Sequence, residues 1–90
     1  MRGANLTRLD LSHLPLQEAD LSAADLSDSK LTGCDLRGAL LRNTVLRRTD
    51  LRGAQLERVD LSAAQLEETR LDLQGAVSLA EAHGAVVDVA

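Results

Sequence analysis

The sequence predicts an all-β solenoid, a chain wound into short stacked coils, and three observations carry that prediction. Leucine occupies every fifth position: Leu6, Leu11, Leu16, Leu21, Leu26, Leu31, Leu36, Leu41, Leu46, Leu51, Leu56, Leu61, Leu66 and Leu71. Two places before each leucine the residue is usually small, as in Ala4, Ala19, Ala24, Ser29, Cys34, Ala39, Thr44, Thr49, Ala54, Ala64 and Thr69. Charged residues twenty positions apart within this region differ in sign.

The leucine spacing excludes the ordinary elements. A helix turns about 100° per residue, so side chains five apart would scatter around its whole circumference. In a plain strand an odd spacing sends successive leucines to opposite faces. One-sided burial therefore requires a corner within every five residues, and strict self-similarity of this kind marks a solenoid whose units contact their neighbours. The leucine and the small residue should fill the interior. One place before the leucine a short acceptor is favoured, as in Asn5, Asp10, Asp20, Asp25, Asp35, Asp50 and Asp60, types that bond nearby backbone and stabilise tight turns. After the leucine come Ser, Thr, Arg or Glu and then often Gly or a charged residue, which reads as the solvated wall and the corner.

The charges set the number of units per coil. With four units, residue i lies beneath residue i+20, about 4.8 Å away, where opposite charges are favoured. Nine charged pairs fall at that offset: Arg8/Asp28, Asp28/Arg48, Arg48/Glu68, Arg47/Glu67, Asp10/Lys30, Lys30/Asp50, Asp50/Arg70, Arg52/Asp72 and Arg37/Glu57, all of opposite sign. At offset fifteen like charges predominate, as in Asp10/Asp25 and Arg37/Arg52. A quadrilateral coil is selected, and fourteen leucines make about three and a half of them. Each exposed pair contributes at most about 1 kcal/mol; together they hold the register.

Units such as Ala4-Asn5-Leu6-Thr7-Arg8, Ala19-Asp20-Leu21-Ser22-Ala23 and Cys34-Asp35-Leu36-Arg37-Gly38 resemble the A(D/N)LXX units of pentapeptide-repeat proteins, and the resemblance covers residues 4–73. It implies a right-handed quadrilateral β-helix. Residues 1–73 are accordingly assigned to the β-helix and 74–90 to a short C-terminal capping helix with an apolar tail.

Met1 already stands in leucine register, so the first coil is expected to be open, covered by another subunit, or cut from a longer array. Leu9 and Leu14 put large side chains in the small column, and Pro15 cannot donate to a ladder, so the segment His13–Glu18 is expected to widen or distort its coil. His13 reads as a solvated surface residue and Cys34 as a buried small hydrophobe. Leu40 and Val45 replace the acidic acceptor with outward apolar side chains and mark a candidate contact spot.

After Leu71 the period fails. Gly75–His83 reads as an amphipathic helix with Ala76, Leu79, Ala80 and His83 on one face and Gly84 as its stop, a lid for the last coil. Val86, Val87 and Val89 form an extended tail that either closes the monomer as a strand or pairs across a two-fold axis. Leu71–Val89 resembles the C-terminal cap through which quinolone-resistance pentapeptide-repeat proteins form homodimers, making Leu79, Val86, Val87 and Val89 a candidate dimer interface.

A 90-residue chain with no aromatic residue has little material for a conventional core, which the aliphatic ladder replaces. Net charge of −4 without a basic patch argues against a nucleic-acid partner. The apolar runs are too short for a membrane span, and a single cysteine fits a reducing compartment, so a cytoplasmic protein is expected. His13, His83 and Cys34 show no metal-ligand spacing, and no nucleophile elbow or phosphate-binding loop occurs. No cofactor, metal or catalytic activity is expected. The expected role is a non-catalytic scaffold for a protein partner. The resemblance implies an alternative, a DNA mimic binding DNA gyrase and modulating quinolone susceptibility. A fragment or a designed or truncated version of a longer array is the third reading.

Overall fold

The computed structural model describes residues 2–88. Two three-residue strands, β1 (Val45–Arg47) and β2 (Gln65–Glu67), pair in parallel with Leu46 opposite Leu66. Isolated parallel bridges repeat that register along the chain, from Asn5↔Asp25 and Asp10↔Lys30 to Asp35↔Gln55 and Asp50↔Arg70. Every bridged pair is twenty residues apart, as the charge pattern requires. The paired segments are short because a corner interrupts them every five residues.

Most corners are built the same way. The leucine carbonyl accepts from the amide three residues on, as from Ala24 to Leu21 at 3.0 Å and from Ala39 to Leu36 at 2.9 Å. The third residue of the turn has positive φ: Arg8, His13, Glu18, Ala23, Asp28, Asn43, Arg48, Arg58 and Glu68 range from 51° to 65°, and Gly33, Gly38 and Gly53 occupy equivalent corners. This is the type II pattern, which favours glycine at that place. The left-handed conformation costs a residue with a Cβ about 1–2 kcal/mol, and no β-branched residue, for which the conformation is most strained, stands at any of these corners. The cost is offset by pairing between coils, since the same residues donate upward, Ala23 to the Arg42 carbonyl and Asp28 to the Arg47 carbonyl, both at 2.9 Å. Gly33 is further constrained: an added Cβ would lie 2.4 Å from His13 Nδ1. Leu61–Ala63 differs in forming a 3-10 turn capped by Asp60, and at the Leu6 corner the Leu9 amide donates to the Ser29 hydroxyl, which itself donates to the Leu6 carbonyl.

Leu21, Leu26, Leu31, Leu36, Leu41, Leu46, Leu51, Leu56 and Leu61 are no more than 4 % exposed. The small column is buried beside them and does more than fill space. Ser29, Cys34, Thr44, Thr49 and Thr69 each donate to the carbonyl of the leucine twenty-three positions earlier, in the coil below. These hydrogen bonds satisfy the only polar atoms the column brings inside. In the first coil Leu6, Leu11 and Leu16 are half-buried, and Leu9 and Leu14 are exposed.

Three expectations need correction. The segment around Pro15 is not distorted: Pro15 bridges Asp35 in register, the Leu16 amide reaches the Asp35 carbonyl at 2.8 Å, and the Asp35 amide reaches the Leu14 carbonyl at 3.1 Å. The proline nitrogen faces away from the coil that carries Asp35, so the ladder to that coil is intact. The capping helix, α1 (Leu73–Ala82), begins two residues earlier than Gly75 because Asp72, at first sight another repeat position, is its N-cap. Finally, only Arg48–Asp28 and Arg47–Glu67 of the nine stacked pairs close as ion pairs, both at 2.7 Å. Arg37 and Arg52 turn instead to Asp35 and Asp50 in their own coil, at 2.6 and 2.7 Å, since residues two apart share a strand face.

Helix α1 covers the last coil. Leu79 packs against the leucine core, and the helix contacts Leu61–Ala63. Asp72 ties the helix down with both oxygens, accepting from the Gly75 amide at 2.8 Å and from Gly53 in the coil below at 2.7 Å. Gly84, with φ of 89°, ends the helix as expected. Its amide reaches the Glu81 carbonyl and that of Ala85 reaches Ala80, a Schellman motif.

Candidate functional site

The repeat leaves four walls, each displaying the residues before and after the leucine. On all of them the acceptor before the leucine is engaged within the fold. Asn5, Asp10, Asp20, Asp25, Asp35, Asp50 and Asp60 each accept the amide two residues on, at 3.0–3.2 Å. Ser27 and Ser62 hydroxyls, or the Arg37 and Arg52 guanidinium groups, add a second donor to the same carboxylates. Hydrogen bonding therefore holds Asp10, Asp20, Asp25, Asp50 and Asp60 below the usual carboxylate range, and the Arg37 guanidinium brings Asp35 down to about 2. The carboxylates that the sequence places at corners of the turns act as structural acceptors.

The wall carrying Leu21, Leu41 and Leu61 differs. Its outward residues are Asp20, Leu40 and Asp60 on one vertical line and Ser22, Arg42 and Ser62 on the next. Leu40 is 55 % exposed. Small neighbours at Ala23, Ala39 and Ala63 leave a groove of about 410 Å³ over it, into which Arg2, Arg42 and Arg58 also project. No ion pair to any of these three arginines occurs among the described residues, nor to Arg8, Lys30 or Arg70, whereas Arg37, Arg47, Arg48 and Arg52 are each held by a carboxylate; the Leu40 wall is the one that sets three such arginines around an exposed leucine. The candidate contact residue Leu40 thus lies at the floor of a cationic groove. Val45, its companion in the sequence reading, lies on the next wall beside Gln65 and Glu67.

Sequence reading singled out Leu40 and missed the arginines, although a signal was present. Arg42 has Ser22 and Ser62 at offset twenty, Arg2 has Ser22, and Arg58 has Gly38: cations with no complementary charge in the stack.

The remaining candidates are placed as follows. Cys34 is fully buried, its thiol bonded to the Leu11 carbonyl and its pKa pushed up by burial, the opposite of an activated nucleophile. Among the described residues no His, Cys, Asp and Glu cluster could hold a metal, and no helix is long and apolar enough to cross a membrane. Of the candidate dimer residues, Leu79 packs on its own core, Val86 is almost wholly exposed, Val87 is half-buried, and Val89 lies outside the described residues.

Parallel coils with a leucine interior and no assembled chemical centre among the described residues define a repeat scaffold. The family model for pentapeptide repeats matches in eight copies, over residues 24–62 and 34–72, and the chain belongs to this family. The family's fold is a right-handed β-helix. A pentapeptide repeat protein from the thylakoid lumen of Arabidopsis thaliana superposes with a TM-score of 0.61 at 25% identity, covering 79% of this chain and 52% of its own. QnrB1, a plasmid-mediated fluoroquinolone resistance protein, gives 0.50 at 24% identity over 98% of this chain and 45% of its own. The chain thus spans about half the length of either structure. No curated protein matches it in sequence.

Proposed function

We propose that this chain is a non-catalytic interaction module: a quadrilateral β-helix of about three and a half coils whose Leu40 wall docks a cytoplasmic protein partner. The observation that carries the proposal is the groove itself. An exposed leucine beside arginines without an ion pair offers a partner an apolar contact together with charge-assisted hydrogen bonds, and arginine is enriched among the residues that dominate interfaces. Elsewhere on the walls Asp10, Asp25, Asp35 and Asp50 are engaged within the fold, and the interior is occupied by the buried leucines.

The gyrase alternative draws on the fluoroquinolone-resistance relative. It requires a continuous phosphate-like stripe, and here Asp28, Asp35, Asp50 and Glu67 are each neutralised by an arginine. A supercoiling assay with the purified chain separates the two readings: inhibition of gyrase, or protection from a quinolone, would favour the mimic.

The test of the proposal is crosslinking in cell extract with the intact chain and with Leu40→Asp. The expected result is a discrete crosslinked partner lost in the variant while its melting curve is retained. An unchanged crosslinking pattern would overturn the assignment of this wall. Light scattering tests the homodimer through the C-terminal segment separately, with a monomer excluding it.

A further inference from the structure

We propose that the Leu40 groove recognises an acidic, aliphatic peptide segment of its partner, in extended form, through side chains alone; this rests on the docking role assigned to that wall. Charge is the first argument. The groove is lined by three arginines and two aspartates, a local excess of positive charge on a chain of net charge −4. Among the described residues neither aspartate forms an ion pair with these arginines; Asp20 Oδ1 accepts from the Ser22 amide and Asp60 Oδ1 from both the amide and the hydroxyl of Ser62. Arg42 and Arg58 are exposed and flanked by Ser22, Ser62 and Gly38, so nothing in the fold fixes their guanidinium groups before a partner arrives.

Geometry gives the form of the ligand. The lining comes from three successive coils, residues 20–23, 39–43 and 58–63, with Arg2 at the lower end. Two coil spacings of about 4.8 Å make a path of roughly 10 Å, which an extended segment of about three residues spans. Arg42 stands beside Leu40 and Arg58 one coil above it, and side chains two apart share a face of an extended segment, so the matching sequence is an aliphatic residue followed two positions on by a carboxylate.

Backbone pairing excludes the commonest way of binding an extended peptide. The main chain of this wall is already bonded from coil to coil: Leu21 to the Leu40 carbonyl, Leu40 to Ala19, Ala23 to Arg42 and Asn43 to Ala63, all at 2.7–2.9 Å. No strand edge is available there for β-augmentation, so specificity falls to Leu40 and the arginines. Recognition by arginine forks also favours planar carboxylates over a single point anion.

The probe is a fluorescein-labelled, end-capped peptide Gly-Leu-Gly-Glu-Gly, titrated with the full chain by fluorescence anisotropy. Its amide twin Gly-Leu-Gly-Gln-Gly and its serine twin Gly-Ser-Gly-Glu-Gly are run alongside. Binding should weaken by about tenfold or more for either twin and for Arg42→Glu, and should weaken as salt is raised. Arg58→Glu provides a second, independent variant, and melting curves confirm that both are folded. Equal affinity for the acidic and amide peptides, or for the intact chain and both folded variants, would overturn the proposal. So would tighter binding of a single-stranded oligonucleotide than of the peptide, which would make the groove a general anion site. Loss of the crosslinked partner in Leu40→Asp without peptide binding would refute the acidic ligand alone and leave the docking wall standing; absence of both would remove the two readings together.

Discussion

The Thr49 hydroxyl donates to the Leu26 carbonyl, twenty-three residues earlier and one coil below, at 2.7 Å. Both residues are fully buried, and the same carbonyl also closes its own corner with the Ser29 amide at 3.1 Å. The small column is therefore a line of vertical ties as well as a space filler.

Thr49→Val keeps the shape and deletes the tie. The Leu26 carbonyl retains one donor, so the expected loss is about 1 kcal/mol rather than the larger penalty of an orphaned buried group. Val59 already occupies this column while 7 % exposed, which shows that the shape is accommodated. Urea unfolding of the variant against the parent measures the loss, with no change expected in the m-value.

Acid should destabilise the fold over a defined range. Asp10, Asp20, Asp25, Asp28, Asp50, Asp60 and Asp72 are all held below their ordinary value of 3.8, and Asp35 near 2. A depressed folded-state pKa contributes stability that is present above the unfolded value and lost as pH falls through the folded one. Melting temperature should therefore be insensitive to these groups at neutral pH, begin to fall below about 4, and continue falling to about 2 as Asp35 is protonated. Asp35→Asn should flatten the lowest part of that curve, and carboxyl carbon NMR titration would place each group.

Asp72→Ala should loosen the lid. It removes the N-cap of α1 and the bond to the Gly53 amide together. Capping losses run from about 0.5 to 2 kcal/mol, and hydrogen exchange should accelerate at Ala76 and at residues of the last coil before it does at Leu36. Uniform acceleration across the chain would mean that helix and coils unfold as one unit.

Ala23→Gly should stabilise. Ala23 holds φ of 61° with an exposed methyl, so glycine relieves the left-handed penalty while adding about 0.5–1 kcal/mol of backbone entropy cost. A net gain of a few tenths to about 1 kcal/mol is expected, and Ala23→Val at the same corner should destabilise. Thermal melts of the two variants against the parent settle the sign.

The interior was readable because a single force, exclusion of leucine from water, recurs at one spacing, and the outward aspartates were readable because their bonding is local. What required coordinates depends on residues distant in sequence or in competition. Arg37 and Arg52 had two acceptors each, one in the stack and one two residues back, and the nearer prevailed. Asp72 fits the repeat and the helix cap equally well as a letter; only the position of Gly53 reveals that it serves the cap. The Leu40 groove arises from what surrounds it, small residues and unmatched arginines on three coils, which no one unit displays.

Twenty residues return the chain to the same vertical line, and this makes length changes unequal in their effects. Gain or loss of one five-residue block between Leu41 and Leu56 would keep every leucine inward yet rotate all that follows by a quarter turn, carrying Arg58 away from Arg42 and onto another side of the tower. Only blocks of four such units preserve both. Duplication and deletion in this lineage are thus free to alter what the surface presents while leaving the means of folding intact.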